Sequence, residues 1–418
     1  MATDVDVQYF SHLNGLTLGN NWGDLIRLLD KALVTGLDFT QITAASIDAQ
    51  GDVHITLYAA HNAMLFQVVE LTGFAPASFN QKYRIKGVPN ATQLILKPHA
   101  VITETSITTV GAGKLASLGY EIIFRDTNDV KRVYRAKNPT AQHPYIRVDE
   151  SIASDTGTYT ATYAKFAMVG LLEHMEHIDD YQNPDVQQLP FDPADPAINW
   201  KITGTGAGVV RGWSRWYWGH LAGINSNSSD IYSGGGGGFT LVGDKDAFYL
   251  QLSRSSGSNE KYINGCGIYN EALSVDKPWF LMNTLNTHSA GATYSLTNIA
   301  GALPLIYNEN SSRFFTTKIN PLDASTQAHT HAKPVTPDQS YQMRSLYSAT
   351  QVAALELPFS DAESYLRGTL KHIHYSGGTL RPAQTTNYLN GSSMYVADSL
   401  FVDSGTNSAV LYYIGEIE

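Results

Sequence analysis

The chain carries 418 residues and a formal net charge of −10, with 43% of its residues apolar and 16% charged. That length exceeds one ordinary hydrophobic core and predicts two or three domains, while the apolar fraction excludes a disordered chain. The acidic balance excludes a generic nucleic-acid binder, which presents a basic face, and the lone cysteine, Cys266, excludes both an intrachain disulfide and a cysteine zinc cluster.

Tyr and Gly are abundant (24 and 35 residues), which suits strands and tight turns better than helical bundles. No stretch approaches the roughly 18 apolar residues of a membrane helix. Residues 1–9 are polar and acidic and lack the layout of a signal peptide, so a soluble chain without a membrane span is expected.

The first predicted element is a helix. Leu25, Leu28, Leu29, Ala32 and Leu33 recur at the spacing of one helical face, with Asn21 as N-cap and Gly36 as stop. So short an amphipathic helix must dock on something, and Leu25, Leu28, Leu29 and Leu33 read as an assembly surface. Val53, Ile55 and Leu57 then alternate with His54, Thr56 and Tyr58, the period of a half-buried strand. Further strands are predicted at residues 64–71, 83–88, 93–96, 121–124, 130–135 and 145–148, separated by turn signals such as Pro89-Asn90 and Asn138-Pro139. Glu173, His174, Glu176, His177, Asp179 and Asp180 form the densest titratable cluster. Its histidines lack zinc-protease spacing, so it reads as a solvated helix or turn. Pro184, Pro190, Pro193 and Pro196 make residues 181–200 an extended linker.

Beyond it, Trp213-Ser214-Arg215-Trp216-Tyr217-Trp218 holds three of the six tryptophans. In a strand, Trp216 and Trp218 share one face while Arg215 and Tyr217 share the other. Aromatic weight on both faces reads as an interface between subunits, with stacking on sugar rings as the alternative. The glycine runs at residues 204–208 and 234–238 lack the ending of a phosphate loop and read as plain loops. Strands are predicted at residues 239–242, 247–252, 313–318 and 409–414, and a helix at 349–357. Two His-x-His pairs complete the inventory: His329 and His331 in a Pro-flanked stretch that reads as loop, His372 and His374 in a strand-like setting. Each pair would present two imidazoles to iron or zinc, although short-range pairs also arise by chance among 13 histidines. No nucleophile elbow, kinase set or paired-carboxylate motif is recognisable, so no catalytic residue is assigned and no enzyme is expected.

The pattern from Gly15 to Gly36 resembles the start of a group of virion structural proteins from tailed bacteriophages. Tyr83-Arg84-Ile85-Lys86-Gly87-Val88-Pro89, Leu118-Gly119-Tyr120-Glu121, Val133-Tyr134-Arg135 and Tyr145-Ile146-Arg147-Val148-Asp149 resemble further segments of that group. So do Leu241-Val242-Gly243-Asp244 with Phe248-Tyr249-Leu250, and Leu366-Arg367-Gly368-Thr369-Leu370. The resemblance implies a structural component of the virion, assembled in the host cytoplasm and placed at the tail or baseplate as a homotrimer among other virion proteins. In such a trimer three His-x-His pairs would offer six ligands to an iron on the threefold axis. The alternatives are a receptor-binding adhesin reading host surface glycan through Trp213, Trp216 and Trp218, a polysaccharide depolymerase, or a head or collar decoration protein. The expected fold is mainly β with minor α: two sandwich- or barrel-like β-rich domains, residues 1–180 and 201–418, joined by the 181–200 linker, with the short amphipathic helix near the start.

Overall fold

The computed structural model describes residues 3–19, 21–151, 165–203, 210–219, 237–253, 261–283, 285–286, 314–323, 325–335, 354–376, 382–403 and 406–418. Within them the chain is mainly β, with one short α-helical segment. Both glycine runs lie largely outside the described residues, as does most of the expected 349–357 helix. The described end of that helix is strand, Leu355–Asp361.

The amphipathic segment forms as its periodicity predicts, as an α-helix at Asp24–Leu29 that continues as a π-helical turn over Asp30–Thr35. Gly36 ends it with φ of 71°, a conformation that favours glycine. The N-cap differs from expectation. Gly23 precedes the helix, and the Asp24 carboxylate accepts the Asn21 amide at 2.8 Å. The helix's own amides are taken by a distant residue: Glu150 accepts Ile26 N at 2.8 Å and also the amide of Gly23. Leu25, Leu29 and Leu33 are fully buried and Leu28 nearly so, in one core with Val69, Leu71, Tyr83, Ile85, Leu94 and Leu96. The expected assembly surface is therefore covered within the chain's own fold, where the helical segment also packs against Tyr120–Arg125.

That first sheet runs, in spatial order, Leu37–Asp38, Ala112–Leu115, Val68–Thr72, Lys82–Asn90, Gln93–Pro98, Val53–Leu57 and Ile42–Ile47. A second sheet runs Leu285–Asn286, Ser214–Gly219, Lys165–Leu172, Tyr145–Asp149, Lys131–Ala136 and Tyr120–Arg125, with Gln188–Leu189 added along Lys165–Leu172. The third has 13 strands. It begins with Gln8–Ser11, Phe239–Gly243, Ala247–Ser253, Lys261–Ile268 and Trp279–Met282. It continues through Phe314–Ile319, Thr326–Pro334, Leu355–Asp361, Leu366–Tyr375, Thr406–Glu416, Ser393–Asp403 and Thr386–Asn390, with Asn270–Glu271 on Leu366–Tyr375. Neighbouring strands are antiparallel throughout.

The third sheet curls over itself. Tyr412 Oη donates to Gln251 Oε1 at 3.0 Å, Gln251 Nε2 donates to the Ser399 carbonyl at 2.9 Å, and the Tyr249 and Tyr412 rings lie 5.8 Å apart. Ala247–Ser253 and Lys261–Ile268 are thus covered on one side by the returning strands and on the other by the second sheet. Every residue in both is buried, whereas Val53–Leu57, covered on one face, keeps strict alternation.

Strand pairing crosses the expected domain division. Gln8–Ser11 pairs with Phe239–Gly243, and Ser214–Gly219 pairs with Lys165–Leu172. The expected linker is in part a packed edge: Gln188 and Leu189 are buried and pair with Leu172 and Leu171. Pro190 then ends the pairing, as proline must, since it has no amide to donate.

Candidate functional site

The Trp-rich strand comes first among the expected site residues. Trp216 is fully buried, Tyr217 and Arg215 are 1% exposed, and Trp218 and Trp213 are 4% and 7% exposed. Trp216 packs edge-on against Phe248 and donates its indole N–H to the Met282 carbonyl at 2.9 Å. On the other face Tyr217 meets Phe166, and Arg215 Nη1 donates to Tyr217 Oη at 3.1 Å. The alternation of faces is as expected, but neither face is open to a sugar or a neighbouring subunit. Both are covered because the second sheet is the middle layer, with the large sheet on one side and Trp200, Ile202 and Met175 on the other.

His329 and His331 lie on the strand Thr326–Pro334, not in a loop, and flank Phe315 with ring centroids 5.2 and 5.1 Å away. His329 also meets Trp213 at 5.1 Å, and its Nδ1 lies 3.0 Å from the Phe191 amide nitrogen. These contacts make the pair an aromatic packing element. Glu173 reaches Lys277 at 3.2 Å and Asp179 reaches Lys131 at 2.9 Å, so that cluster sits in a surface loop held by cations. Among the described residues no three His, Cys, Asp or Glu side chains gather as a metal site, and no helix is long and apolar enough to cross a membrane. Cys266 is buried, and burial pushes its thiol up and leaves it unreactive.

His372 and His374 lie elsewhere, on the wall of a cleft of about 560 Å³. The strand Leu366–Tyr375 builds that wall by departing from regular pairing. Thr369 faces Pro358 and His374 faces Glu356, so Leu370, Lys371, His372 and Ile373 all stand against Leu357. This bulge keeps Leu370 and Ile373 in the core while Lys371 and His372 line the cleft, and His372 takes φ of 64°. Asn270 reaches the cleft because Gly368, with φ of 146°, lets the Asn270 carbonyl approach where a side chain would overlap it. The opposite wall is the cross-strand pair Tyr395 and Tyr413, rings 5.5 Å apart, with His374 edge-on to both at 6.4 and 6.3 Å.

Charge in the cleft is arranged in pairs. His372 Nε2 lies 3.1 Å from Asp244, and although burial opposes ionisation, this contact holds the Asp244 carboxyl below its ordinary range. Lys371 Nζ meets Asp246 at 2.5 Å, and His143 meets the other oxygen of Asp246 at 2.9 Å. His143 foremost, with Lys371, holds that carboxyl well down against burial. Glu416 accepts hydroxyls from Ser392 and Ser393 at 2.6 Å and from Tyr413 at 2.7 Å, which lowers its carboxyl. Burial lowers His374, so its imidazole is neutral near pH 7. The result is an open groove with two phenol rings, an imidazole, the Asn270 amide and the carboxylates of Glu356 and Glu416: a surface for hydroxyl-rich ligands. The sequence pointed to His372 and His374 but missed the rest, because only the strand register brings Tyr395 opposite Tyr413 and Glu356 opposite His374.

No family model and no curated protein matches this sequence. Among solved structures the chain aligns with phage phi92 endosialidase at 9% identity, over 92% of this chain and 51% of that one, with a TM-score of 0.14. The chain therefore spans about half the length of that protein, and a superposition this poor supports neither a shared fold nor a shared activity. What the fold and the cleft define together is a β-rich protein with an aromatic, carboxylate-lined groove.

Proposed function

We propose that this chain is a non-catalytic binding component of a tailed-phage virion, and that the cleft between Leu366–Tyr375 and the Tyr395–Tyr413 pair holds a saccharide of the host surface. The observation that carries the binding half is the cleft itself: aromatic rings beside carboxylate and amide groups match the alternating C–H and O–H faces of a sugar. The virion half rests on the short segments that resemble phage structural proteins. Binding moves from the tryptophans to the tyrosines, since Trp213, Trp216 and Trp218 are buried.

The test is a glycan array followed by ligand-observed NMR, with Tyr413→Ala as the control. Binding lost in that variant, with the thermal midpoint kept, supports the reading. Release of reducing sugar by the wild-type chain would turn it into a depolymerase, and an array without hits would remove the saccharide. Cryo-electron microscopy of a virion carrying the chain tests the second half. Tail or baseplate density with the cleft outward agrees with it, and density on the capsid would relocate it.

A further inference from the structure

Resting on the saccharide reading, the charge pattern of the cleft points further, to the class of sugar. Its basic side chains face carboxylates of the same chain. Lys371 is bound to Asp246, which also takes His143, and His372 is 3.1 Å from Asp244. The remaining imidazole, His374, has Nδ1 3.2 Å from the His372 carbonyl. The acceptors are less committed. Glu356 is exposed on the rim, and its carboxylate has no hydrogen bond or ion pair among the described residues, with His374 its neighbour across the strands. Glu416 is satisfied only by hydroxyls, which leave its negative charge uncompensated. Thr369 and Asn270 add neutral polar groups to the same lining.

We infer that the cleft selects neutral or amino-bearing sugars and rejects acidic ones such as uronic or sialic acids. A carboxylate on the ligand would enter beside Glu356 and Glu416 and, among the described residues that line the cleft, meet no lysine or arginine without a carboxylate partner. A hydroxyl or ammonium group would instead donate to those same carboxylates, the stronger kind of hydrogen bond.

The experiment compares three methyl glycosides of one shape: glucose, glucosamine and glucuronic acid, each titrated by NMR at low salt and at 0.5 M salt, where the screening length falls to about 4 Å. The glucose and glucosamine glycosides should bind, with the glucuronide about tenfold weaker at low salt, as expected of one uncompensated like-charge contact. Glu356→Gln, at an exposed position, should narrow that gap without loss of fold. A glucuronide that binds as well as glucose, or a gap unchanged in Glu356→Gln, overturns the inference while leaving the saccharide reading intact. Failure of all three glycosides, together with an array without hits, overturns the saccharide reading itself and this inference with it.

Discussion

Arg84 is a side chain on which three distant stretches of this chain converge. It is fully buried, and its guanidinium donates only to backbone carbonyls: Asp4 through Nε at 2.8 Å and Nη2 at 2.6 Å, Val7 at 3.0 Å, Phe66 at 2.7 Å and Ile414 at 2.9 Å. Burial, against the pull of Asp4, Tyr9 and Asp6, lowers its pKa to about 10, so it stays charged at neutral pH. Arg84→Met would strand these carbonyls and is expected to cost about 3–5 kcal/mol in urea unfolding. Arg84→Lys should recover only part of this, because a three-donor ammonium cannot reproduce the planar fork. Asp246 gives a pH signature. Its folded carboxyl titrates below the unfolded value of about 3.9, so as pH falls the unfolded chain takes up the proton first. The stability it contributes is therefore present above the unfolded value and is lost as pH falls through the lower, folded one. Asp246→Asn should cost about 1–3 kcal/mol at neutral pH and flatten the acid limb of a stability profile measured below about pH 4.

At the scale of elements, the helix shows how a correct local reading attaches to a wrong role. Its apolar spacing was legible, but those leucines are buried in a core of the same chain shared with residues of all three sheets. Leu29→Ala, at a fully buried position, is expected to cost about 2–5 kcal/mol of folding stability by cavity formation. If the helix were instead an assembly surface, the same substitution would shift the oligomeric state with little effect on monomer stability. Sedimentation beside urea unfolding separates the two. The Glu150 carboxylate shows why capping was less legible: its partners, Gly23 and Ile26, lie more than a hundred residues away, and no local motif announces them.

For the whole molecule, residues 3–11 act as a clasp. Gln8–Ser11 is a strand of the large sheet, while Gln8 Nε2 donates to Val68 and Ala116 of the first sheet at 2.8 Å, and Asp4 and Val7 hold Arg84. Deleting residues 3–11 should lower the thermal midpoint of the entire chain in one transition. A separate early transition confined to the first sheet would show that the sheets unfold independently of the clasp.

Strands such as Val53–Leu57 were readable from alternation, because a half-buried strand writes its geometry into every second position, whereas Lys165–Leu172, Lys261–Ile268 and Ser393–Asp403 were not marked. Where burial does not alternate, as in Ala247–Ser253, the cause is coverage on both faces, and that depends on which layer a strand occupies. The cleft was legible only at His372 and His374. Its tyrosines come from paired strands and its glutamates from two different ones, and the bulge at Leu370–Ile373 that turns Lys371 and His372 outward appears in no local pattern. By itself the sequence determined the β-rich class and the early helix with its apolar face, since these follow from the periodicity of neighbouring residues. The layer order, the burial of the tryptophans and the making of the cleft were decided by tertiary structure, because each depends on contacts between segments far apart in the chain.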